Sequence, residues 1–215
     1  MSLLNTLAYR LKHGFPRLFA KVEQRARGIT ALRYSRRLTG VREASGLEGT
    51  VHDRDAVIRP LGPEDQSALR DLLHRLPEDQ LQFFRPHGFD TESLTTVLTS
   101  SAFLPSGLFI QEELVAYALL KITPTGSIFA GSMVRPEWQG QGIGTFLSRY
   151  MYWQAALAGL PCHATISKGN LPSLKAYQSG RDYRVLSELP NEYLLLEFPP
   201  MPIDEETPRL EIVLQ

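Results

Sequence analysis

The sequence predicts a single mixed α/β domain, a sheet with helices on both faces, preceded by a basic helical arm. Three observations predict it. After residue 55, short runs rich in β-branched and aromatic residues alternate with segments of helical period. The first strands follow one another as a meander and the last are joined through helices, a pattern that gives a mixed sheet covered on both sides. A chain of 215 residues, 43% hydrophobic and 21% charged, is long enough to bury roughly 70% of its unfolded surface without disulfide or metal staples.

The arm comes first. In residues 3–22 the apolar positions Leu3, Leu4, Leu7, Ala8, Leu11, Phe15, Leu18, Phe19 and Val22 fall on one helical stripe, with Arg10, Lys12, His13 and Arg17 opposite and Gly14 and Pro16 predicting a kink. Residues 39–53, with glycines and serines among polar residues, read as a linker. Residues 56–60 read as a strand, and Pro63 opens a helix whose face is Leu69, Leu72, Leu73 and Leu76. Short helices follow over 77–84 and, capped by Asp90, over 91–100. Residues 108–111 and 114–122 flank Glu112-Glu113 as a hairpin. A strand over 127–134, a helix over 142–158, a strand over 162–167, a helix over 171–178 and closing strands around 183–186 and 193–198 complete the body. The expected boundaries are residues 1–50 for arm and linker, 51–200 for the folded body and 201–215 for an acidic, proline-containing tail.

Charge divides along the same lines. Residues 1–50 hold ten Lys/Arg against Glu23, Glu43 and Glu48, a balance of +7 that the remainder offsets, because the 23 basic and 23 acidic residues cancel over the chain. A basic arm on an acidic body argues against nucleic acid as a partner, since a nucleic-acid module carries its basic patch on the folded part. The apolar stripe of residues 1–30 has three readings: packing on the body or on a second copy in a homodimer, contact with an anionic membrane surface, or a transit peptide. The arm is expected to be separable from the body. The lone Cys162, the absence of zinc-finger spacing, of a span of about 18 apolar residues and of a secretory signal point to a cytoplasmic protein without a metal.

The stretch richest in chemistry is Val134-Arg-Pro-Glu-Trp-Gln-Gly-Gln-Gly-Ile-Gly144, between a strand and a helix. Glycines let the backbone approach a ligand, and the first amides of the helix point outward with the positive end of the dipole behind them. No acid answers that dipole, and none occurs between residues 145 and 181. An external phosphate fits. A Walker loop requires Gly-Lys-Ser/Thr, and a dinucleotide fold requires a third glycine where Thr145 stands; neither pattern is met.

Gln139-x-x-Gly142-x-Gly144, with the preceding Val134-x-Pro136, resembles the pyrophosphate motif of the GNAT superfamily of acyl-CoA-dependent N-acetyltransferases. Asn170-Leu-Pro-Ser173-Leu-Lys-Ala-Tyr177 is similar to that family's later Asn-x-x-Ser/Ala-x-x-x-Tyr signature. The resemblance spans residues 56–198. It implies a mostly antiparallel mixed sheet splayed in the middle. It further implies acetyl-CoA as acyl donor, its pyrophosphate cradled by the amides of Gln139, Gly140, Gln141, Gly142, Ile143, Gly144 and Thr145. Backbone groups of Met133 and Val134 would hold the pantetheine arm, Asn170 would contact the CoA side, and Tyr177 would protonate the departing thiolate.

The implied function is direct transfer of an acetyl or other acyl group to a primary amine; the alternative is a non-catalytic acyl-CoA sensor or scaffold of the same fold. Plainer roles stand beside these: Tyr177 as a core aromatic, Asn170 as a helix cap, and His163, which alternates on a strand with Cys162 and Thr165, as a core or rim histidine before a base. The aromatic loop around His87 is expected near the acceptor. Unlike several members of that family, the strand over 127–134 carries no acid. The general base then falls to water or to Glu112, Glu113, His87 or Asp90. A second departure, Gly180-Arg-Asp-Tyr183 in place of the family's Gly-Phe, reads as a loop change.

Overall fold

The computed structural model describes residues 16–81, 83–84, 86–180, 182–199 and 207–213. Among them nine strands form one sheet: β1 (Leu47–Val51), β2 (Arg54–Pro60), β3 (Phe103–Ile110), β4 (Glu113–Ile122), β5 (Ile128–Val134), β6 (Cys162–Ser167), β7 (Arg184–Leu189), β8 (Tyr193–Phe198) and β9 (Leu210–Ile212). Their spatial order is β7-β8-β6-β5-β4-β3-β2-β1-β9. Every neighbouring pair is antiparallel except β5–β6 and β1–β9. Two of the hairpins, β1–β2 and β3–β4, turn through two residues, His52-Asp53 and Gln111-Glu112, all four with positive φ, the backbone that matches strand twist in a two-residue turn.

Alternation along β4 explains why the sheet is covered twice. Ala116, Ala118, Leu120 and Ile122 face one cluster and Tyr117 and Leu119 the other. The first cluster is closed by α1 (Pro16–Ala44), α5 (Ile143–Ala158) and α6 (Leu171–Gly180), through side chains such as Leu38, Val41, Tyr150 and Tyr177. The second is closed by α2 (Gln66–His74) and α4 (Thr91–Thr99), through Leu69, Leu72, Leu73, Leu94 and Val97. A one-turn helix, α3 (Glu78–Leu81), lies between them in sequence. Asp90 caps α4 as expected, accepting from the Ser93 amide at 2.9 Å.

Three differences from the sequence reading concern the ends. Residues 39–53, expected as a linker, hold the last turn of α1 and all of β1. One of the glycines that suggested a linker, Gly49, is a close-approach residue: a Cβ there would collide with the Leu210 carbonyl of β9. Second, the expected helix over 3–22 lies largely outside the described residues; its last part belongs to α1. That helix is no detached arm. Thr30, Leu38, Val41 and Ser45 are buried at helical spacing, and Arg37 donates to Ala158 O at 3.1 Å, placing a cation at the C-terminus of α5. Tyr150 Oη donates to Ser45 O at 2.7 Å and Gln154 Nε2 to Ser45 Oγ at 2.9 Å. Third, the expected tail contributes β9, parallel to β1; residues 201–206 lie outside the described residues.

Candidate active site

The site forms where β5 and β6 part. They pair only at Ile128↔Cys162 and Phe129↔His163. At one end of β5 the Ile128 amide donates to Pro161 O at 2.9 Å, on the β6 side; at the other the Arg135 amide donates to Val115 O of the β4 side at 3.0 Å. Peptide groups along a strand alternate in direction, and the β4–β5 register runs without a shift. Phe129, Gly131 and Met133 therefore turn their backbone groups to β4, and Ala130, Ser132 and Val134 turn theirs toward the opening. Met133, expected as a backbone partner of the ligand, faces the wrong way by this alternation, and its side chain sits in the α2–α4 core. Ser132, which the sequence reading passed over, turns its backbone groups toward the opening beside Val134.

Beyond Val134 the chain makes a short 3₁₀ turn, Pro136–Trp138, and then the glycine loop. Gln139 Nε2 donates to Val134 O at 2.8 Å and to Gln80 Oε1 at 2.9 Å, so this side chain ties the loop to the strand end and to α3. Gly142 is the N-cap of α5 with φ 87° and no side-chain cap; no acidic residue occupies the first turn. A Cβ at Gly142 would lie 3.3 Å from Ile212 Cγ2 of β9, and one at Gly144 3.4 Å from Ala176 Cβ of α6. One glycine thus provides a left-handed turn and the other close helix packing. The first amide of α5 with a backbone acceptor is that of Phe146, bonded to Gly142 O at 3.0 Å; the amides before it form the outward-facing end of the helix.

Tyr177 reaches the same opening from α6. It is buried, its ring packed against Tyr152 and Phe198, and its hydroxyl donates to Ala130 O at 3.3 Å. Burial pushes its phenol far above the ordinary tyrosine value, so it stays a proton donor. Asn170 accepts from the Ser173 amide at 3.3 Å, the geometry of an N-cap on α6.

A model of the acetyltransferase (GNAT) family matches residues 69–183, from α2 to just past α6. The chain belongs to the GNAT family. Among solved structures, the GNAT domain of S. lividans PAT superposes with a TM-score of 0.64 at 15% identity, over 72% of this chain and 97% of that one. The PaiA N-acetyltransferase of Thermoplasma acidophilum in complex with coenzyme A gives 0.57 at 18% identity, over 66% and 98%. An aminoglycoside acetyltransferase in complex with coenzyme A and kanamycin gives 0.54 at 14% identity, over 67% and 94%. No curated protein matches the sequence.

In this GNAT chain three of the four side chains expected to serve as general base are engaged elsewhere, and the fourth is exposed in a turn. His87 lies at hydrogen-bond distance from Gly88 O through Nδ1, 2.6 Å, and from Tyr117 Oη through Nε2, 3.1 Å. With Nδ1 as donor, both ring nitrogens are satisfied, and burial holds the ring below the ordinary histidine value. Asp90 is the α4 cap, held below the ordinary carboxylate range by the Ser93 hydroxyl and amide. Glu113 is ion-paired with buried Arg135 and with Arg75, and the Arg135 hydrogen bond holds it low. Glu112 is exposed in the β3–β4 turn. The Cys162 thiol is buried and pushed up to about 12 by that burial, which leaves it protonated and unsuited to carry an acyl group. Among the described residues no cluster of three His, Cys, Asp or Glu could hold a metal ion, and no helix is long and apolar enough to cross a membrane.

Proposed function

We propose that this GNAT protein transfers an acetyl group from acetyl-CoA to a primary amine by direct attack on the thioester. One observation carries the reading: a strand edge left unpaired at Ser132 and Val134 leads straight into a helix start with outward amides and no acid, and a buried phenol stands at the closed end of the opening. The edge suits an extended amide-bearing arm, and the amides from Gln139 to Thr145 suit a pyrophosphate. Asn170 lies on the CoA side as the cap of α6. Tyr177 donates the proton that the sulfur takes up as the tetrahedral intermediate collapses. A thioester is already activated, so orientation and proton management carry most of the catalysis. Cys162, buried and protonated, supports a single direct transfer in place of an acyl-enzyme. With one cysteine, itself buried, the chain suits a reducing compartment, which we take to be the cytoplasm.

Acetyl-CoA at about 100 times its dissociation constant should stabilise the fold by roughly 2.7 kcal/mol, with ATP and NADH giving much less. Thiol release from acetyl-CoA in the presence of an amine then separates an enzyme from an acyl-CoA sensor. A protein that neither gains stability with acetyl-CoA nor releases thiol would refute the reading.

A further inference from the structure

The face of the sheet opposite α5 and α6 carries a row of side chains that meets the opening at its closed end. Lys121 on β4 is the register partner of Phe129 on β5, Phe129 of His163 on β6, His163 of Glu197 on β8, and Glu197 of Arg184 on β7. Register partners share a face. The Phe129–His163 pair is the last before the strands separate, and the two rings stack, with centroids 5.6 Å apart at an interplanar angle of 30°. His163 Nε2 lies 3.9 Å from Glu197 Oε1, and the other Glu197 oxygen is paired with Arg184. Among the described residues, His163 Nδ1 is buried without a hydrogen-bond partner. An unmet buried ring nitrogen is costly; it recurs among the described residues at His52, where both nitrogens lack a partner, but at His163 it lies at the junction where the strands separate.

We propose that His163 is the general base of the transfer and that Glu197 positions it, a role that rests on the acyl-transfer reading above. Glu197 favours the tautomer with hydrogen on Nε2, which leaves the lone pair on Nδ1. The acceptor enters as an ammonium ion and gives one proton to Nδ1. Its freed lone pair forms the C–N bond to the thioester carbon, and the C–S bond then breaks with its electron pair on sulfur. Sulfur takes the Tyr177 proton; the second proton of the new amide nitrogen returns to the Tyr177 oxygen through solvent, and His163 releases its own to solvent. The products are amide, CoA and one proton. Base and acid thus act from opposite faces of the sheet at the same strand junction, and the missing acid of β5 is replaced from the adjacent strand.

The test measures thiol release from acetyl-CoA, with water alone and with benzylamine as acceptor, alongside acetyl-CoA binding and thermal stability. His163→Ala and His163→Gln should bind acetyl-CoA as the wild type does and lose turnover by about 100-fold or more. Added imidazole should restore part of the His163→Ala rate in proportion to its concentration. Glu197→Gln should lower kcat by about tenfold with the KM for benzylamine unchanged, since the site remains while the charge behind the imidazole is gone. Two variants guard against a folding defect, because His163→Gln nearly preserves the side-chain volume. Wild-type turnover in either folded His163 variant overturns the base and leaves acyl transfer standing. A wild-type protein that binds acetyl-CoA but releases no thiol with either acceptor overturns the acyl-transfer reading, and the base with it.

Discussion

Replacing Tyr177 by phenylalanine separates a catalytic hydroxyl from a core aromatic. The ring is held between Tyr152 and Phe198, with centroids 6.3 and 5.4 Å away, and phenylalanine keeps those contacts. What is lost is one hydroxyl and its 3.3 Å bond to Ala130 O. At that length the net contribution is at the low end of roughly 0.5–1.5 kcal/mol, so the melting temperature should fall by only about 1–2 °C in a chain of this size. Turnover should fall on the order of 100-fold, equivalent to about 2.7 kcal/mol of barrier, with acetyl-CoA affinity little changed. The disparity between a small stability loss and a large rate loss is the diagnostic. Burial raises the phenol well above its ordinary value, so the wild-type rate should also show no loss from tyrosine ionisation up to about pH 10. Stopped-flow measurement of thiol release reads the chemical step directly. An unchanged chemical step in Tyr177→Phe would refute the assignment and leave proximity alone to account for catalysis.

Two further perturbations probe the frame around that step. Gly142→Ala places a Cβ at φ 87° and 3.3 Å from Ile212 Cγ2; it should cost about 1–2 kcal/mol in unfolding and weaken acetyl-CoA at least about tenfold by isothermal titration, and unchanged affinity would place the pyrophosphate elsewhere. Deleting residues 1–45 should yield an unfolded or insoluble protein. Removing Leu38 and Val41 from the core costs roughly 1.5–3 kcal/mol each, and Tyr150 and Gln154 lose their buried partners at Ser45, together a large part of a net stability of about 5–15 kcal/mol; a soluble truncation with a normal acetyl-CoA thermal shift would show the helix to be dispensable.

The sequence announces some elements far better than others, and the reasons are physical. β6 and β8 match the reading residue for residue because each is a short apolar run between turn residues. The start of α5 is readable because Gly142 and Gly144 stand where an acid or a capping side chain would otherwise be. β1 escaped because its glycine serves a contact with a strand more than 150 residues away, and its turn, His52-Asp53, adopts positive φ without a glycine. β9 escaped because three residues carry too little period. Among the candidate site residues, the glycine loop and Tyr177 stood out in the sequence by motif spacing. Ser132 could have been found by carrying strand alternation back from Val134. The row from Lys121 to Arg184 could not, since it depends on the register of five strands drawn from distant parts of the chain.

That register also bears on how a strand with no acid can border the proposed active site. On β5, the side chains facing the α2 side are Phe129 and Met133, with Gly131 between them; on the opposite side Ala130 and Ile128 fill the core. A charge at Ala130 or Met133 would be confined among apolar groups and would carry a desolvation cost. β6 bears no such constraint at His163, because beyond it the sheet continues into Glu197 and Arg184, a carboxylate and a guanidinium that stay partly solvated at the surface. The parallel junction is only two residue pairs long, so the last residue on either strand is equally near its closed end. Under the proposed base, proton removal therefore moves one strand over while staying at the closed end of the opening. The same junction buries Cys162 one register step behind His163, so the one thiol of the chain lies in the core on the opposite face of the sheet from the imidazole.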